Sequence, residues 1–311
     1  MEGIAPLNIT SIGTGFDSVF VEVYSVDLNL ANQNCLRIFS LDIQNNAFSY
    51  SGLHQFLQKN IGRYVFSRAE IEKFKLYDEA EAIGLKAQEL LRNASYPKDS
   101  GAGGELGEIL LYLFLEQKLN APKLLSKIEL KTTENQYIFG SDGVHLLNCA
   151  GKDGNPLCQL ILGESKIIGS LKSAIDDAFD SLEKASANHD NELRLVETNI
   201  FKEAFDDSTA EYIKSLIIPS KRNLSQSVDK AFGVFLGYTI YLGSSGKYSN
   251  AAYRQALQEK MIKDIQDNVS YITSKVAIKN LEGYSFYFYV LPFDNAMADR
   301  ASIINKLKGG V

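Results

Sequence analysis

Residues 157–168 read LCQLILGESKII, an apolar run that ends in a pair of opposite charges. The run predicts a buried strand, and the charges indicate the point where this strand meets a cleft or an edge. Side chains two residues apart on a strand lie on the same face, so we expect Glu164 and Lys166 to project together and Ser165 to point away. A carboxylate beside an ammonium group suits a metal ligand next to a cation that positions water.

The tripeptide Glu-x-Lys is a weak signal by itself, because the chain contains it three times. Glu116–Lys118 falls in a predicted helix, where residues two apart diverge. Glu129–Lys131 precedes the acidic turn at Asp142, so it cannot supply the later half of an Asp-then-Glu-x-Lys order. Glu164–Lys166 follows that turn and ends an apolar strand. The alternative for this pair is an ordinary ion pair on the surface.

Two more carboxylates complete the candidate set. Asp142 lies in FGSDGVH at 139–145, where the flanking glycines let the backbone bend and aim the carboxylate. Glu105 opens ELGEILLYLFLEQKL at 105–119, a predicted helix with an acidic first turn. Taken singly, Asp142 can be an Asx-turn residue, and Glu105 can be a carboxylate that faces the helix dipole.

Hydrophobic periodicity orders the elements around these residues. The helix at Glu105 is followed by three predicted strands, a helix and a further strand, over Lys127–Thr133, Tyr137–Asn148, Leu157–Ile168, Ser170–Ala185 and Ala231–Leu242. A long helix over Asn250–Lys279 and a strand over Tyr284–Pro292 come last. The first 95 residues predict an α+β region, with strands over Ser18–Leu30 and Cys35–Ile43 and a helical pattern over Arg68–Leu91. The glycine-rich segment 95–104 is the expected boundary, giving an N-terminal region 1–95 and a second domain 96–311.

Composition limits the classes of function. The chain of 311 residues has a net charge of −6, so it has no general attraction to nucleic acid, and a local basic groove or a partner must hold any DNA. It contains no apolar run of eighteen residues and no signal-like N-terminus, which predicts a cytoplasmic protein without a membrane span. The three cysteines lack CxxC spacing, so the sequence predicts neither a disulfide framework nor a structural zinc site.

Three segments together, GELGE at 104–108, GSDG at 140–143 and GESK at 163–166, resemble the PD-(D/E)xK nuclease superfamily. Within it, the chain is similar to the nuclease subunits of the bacterial Hachiman anti-phage defence system. The resemblance implies an α/β fold with a restriction-endonuclease-like core, in which α-β-β-β-α-β elements surround a mixed central sheet. It assigns Glu105, Asp142 and Glu164 to Mg²⁺, which Mn²⁺ can replace, and makes Lys166 the catalytic lysine. It also implies DNA as the substrate and a HamB-like helicase as the partner subunit.

The sequence departs from the superfamily pattern in two places. Ser141 stands where the motif has proline, and the predicted helix after Lys166 lacks the glutamine–tyrosine pair of RecB-like exonucleases, which weakens an exonuclease analogy. Two other functions stay open. One is a non-catalytic subunit that senses DNA or regulates a helicase, and the other is an RNase-type toxin on the same core. A nucleotide-binding phosphate loop is excluded, because no Gly-Lys-Ser/Thr follows the glycines at 101–104.

Overall fold

The computed structural model describes residues 14–93, 104–126, 128, 141–151, 154, 156–187, 211, 228–243 and 247–310. Its α-helices are α1 (Phe16–Val19), α2 (Ser51–Val65), α3 (Arg68–Leu76), α4 (Ile83–Asn93), α5 (Gly104–Lys118), α6 (Leu171–Ala187), α7 (Asn250–Ile278) and α8 (Ala296–Leu307). Its strands are β1 (Val21–Val26), β2 (Asn34–Ser40), β3 (Ile43–Gln44), β4 (Ala47–Phe48), β5 (Lys123–Ser126), β6 (Gly143–Ala150), β7 (Pro156–Ile167), β8 (Val228–Thr239) and β9 (Ser285–Phe293).

A seven-stranded mixed sheet forms the centre of the molecule, in the order β1-β2-β9-β8-β7-β6-β5. Strands β2, β9, β8 and β7 are parallel to one another. Strand β1 pairs antiparallel with β2, β6 with β7, and β5 with β6. The order α5-β5-β6-β7-α6-β8 is the predicted α-β-β-β-α-β succession. The predicted α/β fold with a mixed central sheet is therefore confirmed.

Helices cover the sheet on both faces, which explains why the central strands read as nearly continuous apolar runs. Phe114 of α5 packs on one face, with its ring centroid 5.3 Å from that of Tyr289. Phe179 of α6 packs on the other face, 6.1 Å from the ring of Phe288. Since Phe288 and Tyr289 are adjacent in β9 and their side chains point to opposite faces, helices α5 and α6 lie on opposite sides of the sheet.

The helical pattern over Arg68–Leu91 is broken into two helices. Ser67 caps α3 through a reciprocal capping box with Glu70, and α3 ends before Asp78, whose φ of 58° is left-handed. A short 3-10 turn over Ala80–Ala82 then leads into α4. The predicted helical pattern therefore corresponds to two helices. The apolar periodicity continues across the turn between them and does not reveal it.

Of the strands in the first 95 residues, β1 and β2 join the central sheet, whereas β3 and β4 form a separate two-stranded sheet. Strand β1 is shorter than the predicted Ser18–Leu30, because Phe16–Val19 forms the one-turn helix α1. Strand β2 pairs in parallel with β9, with Leu36 opposite Phe288. The division at residues 95 and 96 stays a prediction. Of the predicted strand Lys127–Thr133, only Ile128 belongs to the described residues, and it is helical.

None of the described helices contains a stretch long and apolar enough to cross a membrane. The 29-residue helix α7 is amphipathic instead, and it buries Ile265, Ile272 and Val276 on one face. Ser249 caps its start, where the hydroxyl accepts a hydrogen bond from the amide of Ala252.

Candidate active site

Glu164 and Lys166 lie near the end of β7, on the face that Ser165 does not share. The Lys166 ammonium donates a hydrogen bond of 2.6 Å to Glu164 Oε1. Glu164 is 5% exposed, so this is a largely buried ion pair and not the exposed surface pair that was the alternative. Removing a carboxylate and an ammonium group from water costs several kcal/mol per ion, and folding rarely favours such a pair for stability alone.

Asp142 lies beside this pair, at the point where β6 begins. Gly143 pairs with Gly163, and the amide of Asp142 donates a 2.7 Å hydrogen bond to the Gly163 carbonyl. Its side chain is 9% exposed, and Oδ2 accepts hydrogen bonds from the Ser165 amide at 2.8 Å and the Ser165 hydroxyl at 2.6 Å. The predicted glycine-flanked turn therefore delivers a buried carboxylate to the strand segment that carries Glu164 and Lys166.

Glu105 occupies the first turn of α5 and is 7% exposed. Its Oε2 forms an ion pair of 2.5 Å with the ammonium group of Lys308, just after α8. Its other oxygen, Oε1, is buried and has no hydrogen-bond partner within the described part of the chain. Burial of a carboxylate oxygen without a partner costs free energy, so Glu105 Oε1 is suited to accept a hydrogen bond or to bind a cation.

A close approach of α5 to β7 sets the position of Glu105. A Cβ atom on Gly107 would lie 2.7 Å from the Ser165 hydroxyl, so a larger residue would push the helix off the strand. Gly107 thus lets the first turn of α5 pack against Ser165, whose amide and hydroxyl also donate hydrogen bonds to Asp142. The helix touches the face of β7 opposite to Glu164 and Lys166.

The structure brings the four predicted residues to one end of the sheet, but it does not gather them into one ligand set. Glu164 pairs with Lys166, Asp142 with Ser165, and Glu105 with Lys308. Among the described residues, no three His, Cys, Asp or Glu side chains converge in a group that could hold a metal ion. Carboxylate oxygens are the ligands that Mg²⁺ prefers, so the chemistry of these side chains fits a magnesium ion. Binding by Asp142 and Glu164 together would require each to exchange an internal partner for the metal.

Ser165, Lys308 and Arg300 also contribute contacts at this site, and sequence reasoning assigned none of them a role. Ser165 gave a signal, because it stands between Glu164 and Lys166 and must face the other way. Lys308 gave none, since it lies about two hundred residues from Glu105 in the chain and is one lysine among many. Arg300 of α8 also reaches this end of the sheet, where its guanidinium donates to the Ile167 carbonyl at 3.2 Å.

Two ionisable groups of the central sheet, His145 and Cys158, are unsuited to proton transfer. His145 is fully buried, its Nδ1 lies 2.8 Å from the Ala121 carbonyl, and burial lowers the pKa of its ring to about 3. Burial raises the pKa of the Cys158 thiol to about 12, so this sulfur stays protonated at neutral pH. Lys172 lies over the ring of Tyr271, 4.7 Å from its centroid.

The mixed sheet between helical layers, with a buried acid–lysine pair at its end, defines an α/β protein whose core is consistent with that of nucleases. The family model for HamA matches residues 16–307, and the chain belongs to the HamA family. HamA is a subunit of the Hachiman anti-phage defence system, which includes a partner protein. Searches of curated proteins and of solved structures returned no match.

Proposed function

We propose that the chain is the metal-dependent DNA nuclease of its defence complex and hydrolyses phosphodiester bonds at the end of β7. The observation that carries this proposal is the buried Glu164–Lys166 ion pair, 2.6 Å apart, beside the buried carboxylate of Asp142. Two carboxylates and a lysine at one strand end supply the oxygen ligands and the cation that metal-assisted phosphodiester hydrolysis requires. A family role in defence against phage is compatible with destruction of DNA.

Each residue has a separate task in the proposed reaction. Asp142 and Glu164 would hold Mg²⁺, with Mn²⁺ as a substitute, and Glu105 would complete or orient the set. The bound metal would supply an activated water and neutralise charge on the phosphate. Lys166, whose ammonium lies 2.6 Å from Glu164 Oε1, would position the water and stabilise the negative charge that develops on the phosphate oxygens.

The charge of the chain supports a division of labour with a helicase partner. A protein with a net charge of −6 gains little from general attraction to DNA. A HamB-like helicase would bring DNA to the site by ATP-driven engagement and control when the site acts. The Hachiman system contains a partner protein, and its identity as a helicase is part of this proposal.

The proposed nuclease activity and its substrate can be tested with the purified chain, alone and with the proposed helicase partner. We expect cleavage of plasmid or linear DNA that requires Mg²⁺ or Mn²⁺, stops with EDTA, and is lost in the double variant Glu164→Ala/Lys166→Ala. RNA of matched sequence, under the same metal and salt, should stay intact. Preferential cleavage of the RNA would favour the toxin alternative. Absence of any cleavage, with wild type and variant alike, would favour a non-catalytic regulatory subunit.

Ser165 is expected to act as a positioning residue for Asp142. Replacing Ser165 with alanine removes the 2.6 Å hydroxyl bond to Oδ2 and leaves the 2.8 Å amide bond. Loss of a group that orients a metal ligand typically lowers metal affinity or activity about 10- to 100-fold. We expect the Mg²⁺ concentration for half-maximal cleavage to rise by about tenfold, while the maximal rate at saturating metal changes less.

A matched control for this change is Ser186→Ala, which removes an exposed hydroxyl on α6 that bonds to the Glu183 carbonyl. The control should keep the metal dependence of wild type. An unchanged metal titration for Ser165→Ala would show that the serine does not position a metal ligand, whatever its effect on stability.

A further inference from the structure

A basic cavity of about 560 Å³ lies between α2, α3 and the start of α4, away from the candidate active site. Four cationic side chains line it, Lys59 and Arg63 from α2, and Arg68 and Lys75 from α3. The one acidic residue of the lining is Glu72, which pairs with Lys75 at 2.7 Å on the exposed rim. Arg68 is likewise paired with Glu116 behind the lining, so the net positive charge of the cavity comes from Lys59 and Arg63, in a chain whose net charge is −6.

The cavity is built into a packed corner of the fold. Arg68 is almost fully buried, donates to the Lys123 carbonyl at 3.2 Å, and lies 3.6 Å from Glu116. The Lys123 ammonium in turn donates to backbone carbonyls at the end of α2, at 3.2 Å for both Tyr64 and Phe66. These contacts fix α2 and α3 to β5, so Arg68 is held in place before any ligand arrives.

The two helices that form the cavity also approach closely. A Cβ atom on Gly62 would lie 2.2 Å from Ile83 Cγ2, so the glycine allows α4 to cross α2 at short range. Lys59 and Arg63 are four residues apart on α2 and therefore lie on the same side of the helix. Both present their positive charge toward the same space.

We propose that this cavity binds the phosphate groups of a nucleic-acid strand. Arginine guanidinium groups bind phosphate through paired hydrogen bonds, and lysine adds a mobile point charge. Lys59 and Lys75 are exposed at the cavity, so a strand that lies across it can reach both. A row of basic groups along a groove is the usual means by which proteins follow a phosphate backbone without reading its bases.

The cavity has a fixed connection to the helix that carries Glu105. The Tyr64 hydroxyl donates a 3.0 Å hydrogen bond to Glu108 Oε2, and Glu108 lies one turn after Glu105 on α5. A strand held in the cavity would thus have a constant separation from the end of β7. The inference concerns binding and does not require the proposed nuclease activity.

The test measures binding of a labelled single-stranded oligonucleotide by fluorescence anisotropy at several salt concentrations, in EDTA so that no cleavage occurs. The variants are Lys59→Glu and Arg63→Glu, singly and together, and the control is Lys73→Glu, an exposed lysine of α3 outside the lining. We expect each reversal to weaken binding by about tenfold. The double variant should lower the slope of log affinity against log salt by about 1.4, since each phosphate contact contributes about 0.7 for single strands.

Several outcomes would overturn the proposal. Wild type that does not bind the oligonucleotide, or cavity variants that bind like Lys73→Glu, would exclude the cavity as a nucleic-acid site. Reversals that remove thermal stabilisation by inorganic pyrophosphate but keep oligonucleotide binding would assign the cavity to a small phosphate ligand. Reversals that impair only association with the purified helicase would make it a protein-docking surface. Thermal melts of each variant establish that it is folded, and binding that persists in a Glu164→Ala chain separates this site from the proposed active site.

Discussion

Replacing Lys166 with alanine is expected to reduce DNA cleavage by at least about 100- to 1,000-fold, the effect of removing one preorganised group that stabilises developing charge. The structural reason is that the Lys166 ammonium lies at the end of β7, 2.6 Å from a proposed metal ligand. The rate constant of cleavage at saturating Mg²⁺ is the quantity to measure. Lys166→Arg keeps the charge but changes its geometry, and we expect it to retain a small part of the activity.

The stability of Lys166→Ala must be measured together with its activity. Alanine at 166 leaves Glu164 buried without its partner, which can cost about 3–5 kcal/mol for a fully buried pair. A thermal melt then shows whether lost cleavage is a loss of fold. The second variant Glu164→Gln/Lys166→Ala has no such uncompensated charge and should melt closer to wild type, yet stay inactive.

The matched control for Lys166 is the lysine of another Glu-x-Lys tripeptide. Lys118→Ala removes an ammonium that pairs with Asp17 near the end of α5, far along the helix from Glu105. We expect it to keep nuclease activity per folded molecule. Equal activity of Lys166→Ala and wild type would remove the central residue from the proposed mechanism.

Phe114→Ala should produce a large loss of stability. Phe114 is fully buried, and five aromatic rings lie within 5.5 Å of its ring, between centroids. They are those of Phe16, Phe20, Phe39, Phe235 and Tyr289. Truncation of a buried phenylalanine costs about 3–5 kcal/mol, because apolar burial is lost and a cavity remains. The measurement is the free energy of unfolding from a urea titration.

Phe114 also joins the two parts of the chain that the sequence separates at residue 95. Three of its neighbours precede that boundary, and two follow it, so we expect Phe114→Ala to lower the stability of both parts in a single transition. Tyr77→Ala is the control, since Tyr77 is 71% exposed and should change stability by less than about 0.5 kcal/mol. Two separate transitions, with only one affected by Phe114→Ala, would show that the N-terminal region folds independently.

Local patterns were enough to predict the elements that carry the candidate site. The strand at 157–168 appears as β7, and the helix that opens at Glu105 appears as α5, since both patterns arise from residues close in sequence. The same reasoning placed Glu164 and Lys166 on one face of the strand. It could also choose one candidate among the three Glu-x-Lys tripeptides, because only one of them falls on a strand after the acidic turn.

Contacts between distant segments could not be predicted. The parallel pairing of β2 with β9 joins residues about 250 positions apart, and no pattern within either strand names its neighbour. The ion pair of Glu105 with Lys308 has the same cause. The turn at Asp78 was missed for a different reason: a left-handed aspartate is an exception that apolar periodicity does not record.

The pairing of β2 with β9 also affects how the protein is made. Strand β2 ends at Ser40 and β9 begins at Ser285, so a ribosome adding about 5–20 residues per second makes the second strand roughly 10–50 s after the first. During that interval β2 has no β9 beside it, and β8 likewise lacks its β9 border. The central sheet of the nascent chain therefore stays incomplete until late in synthesis, and any activity that needs the finished sheet forms late as well.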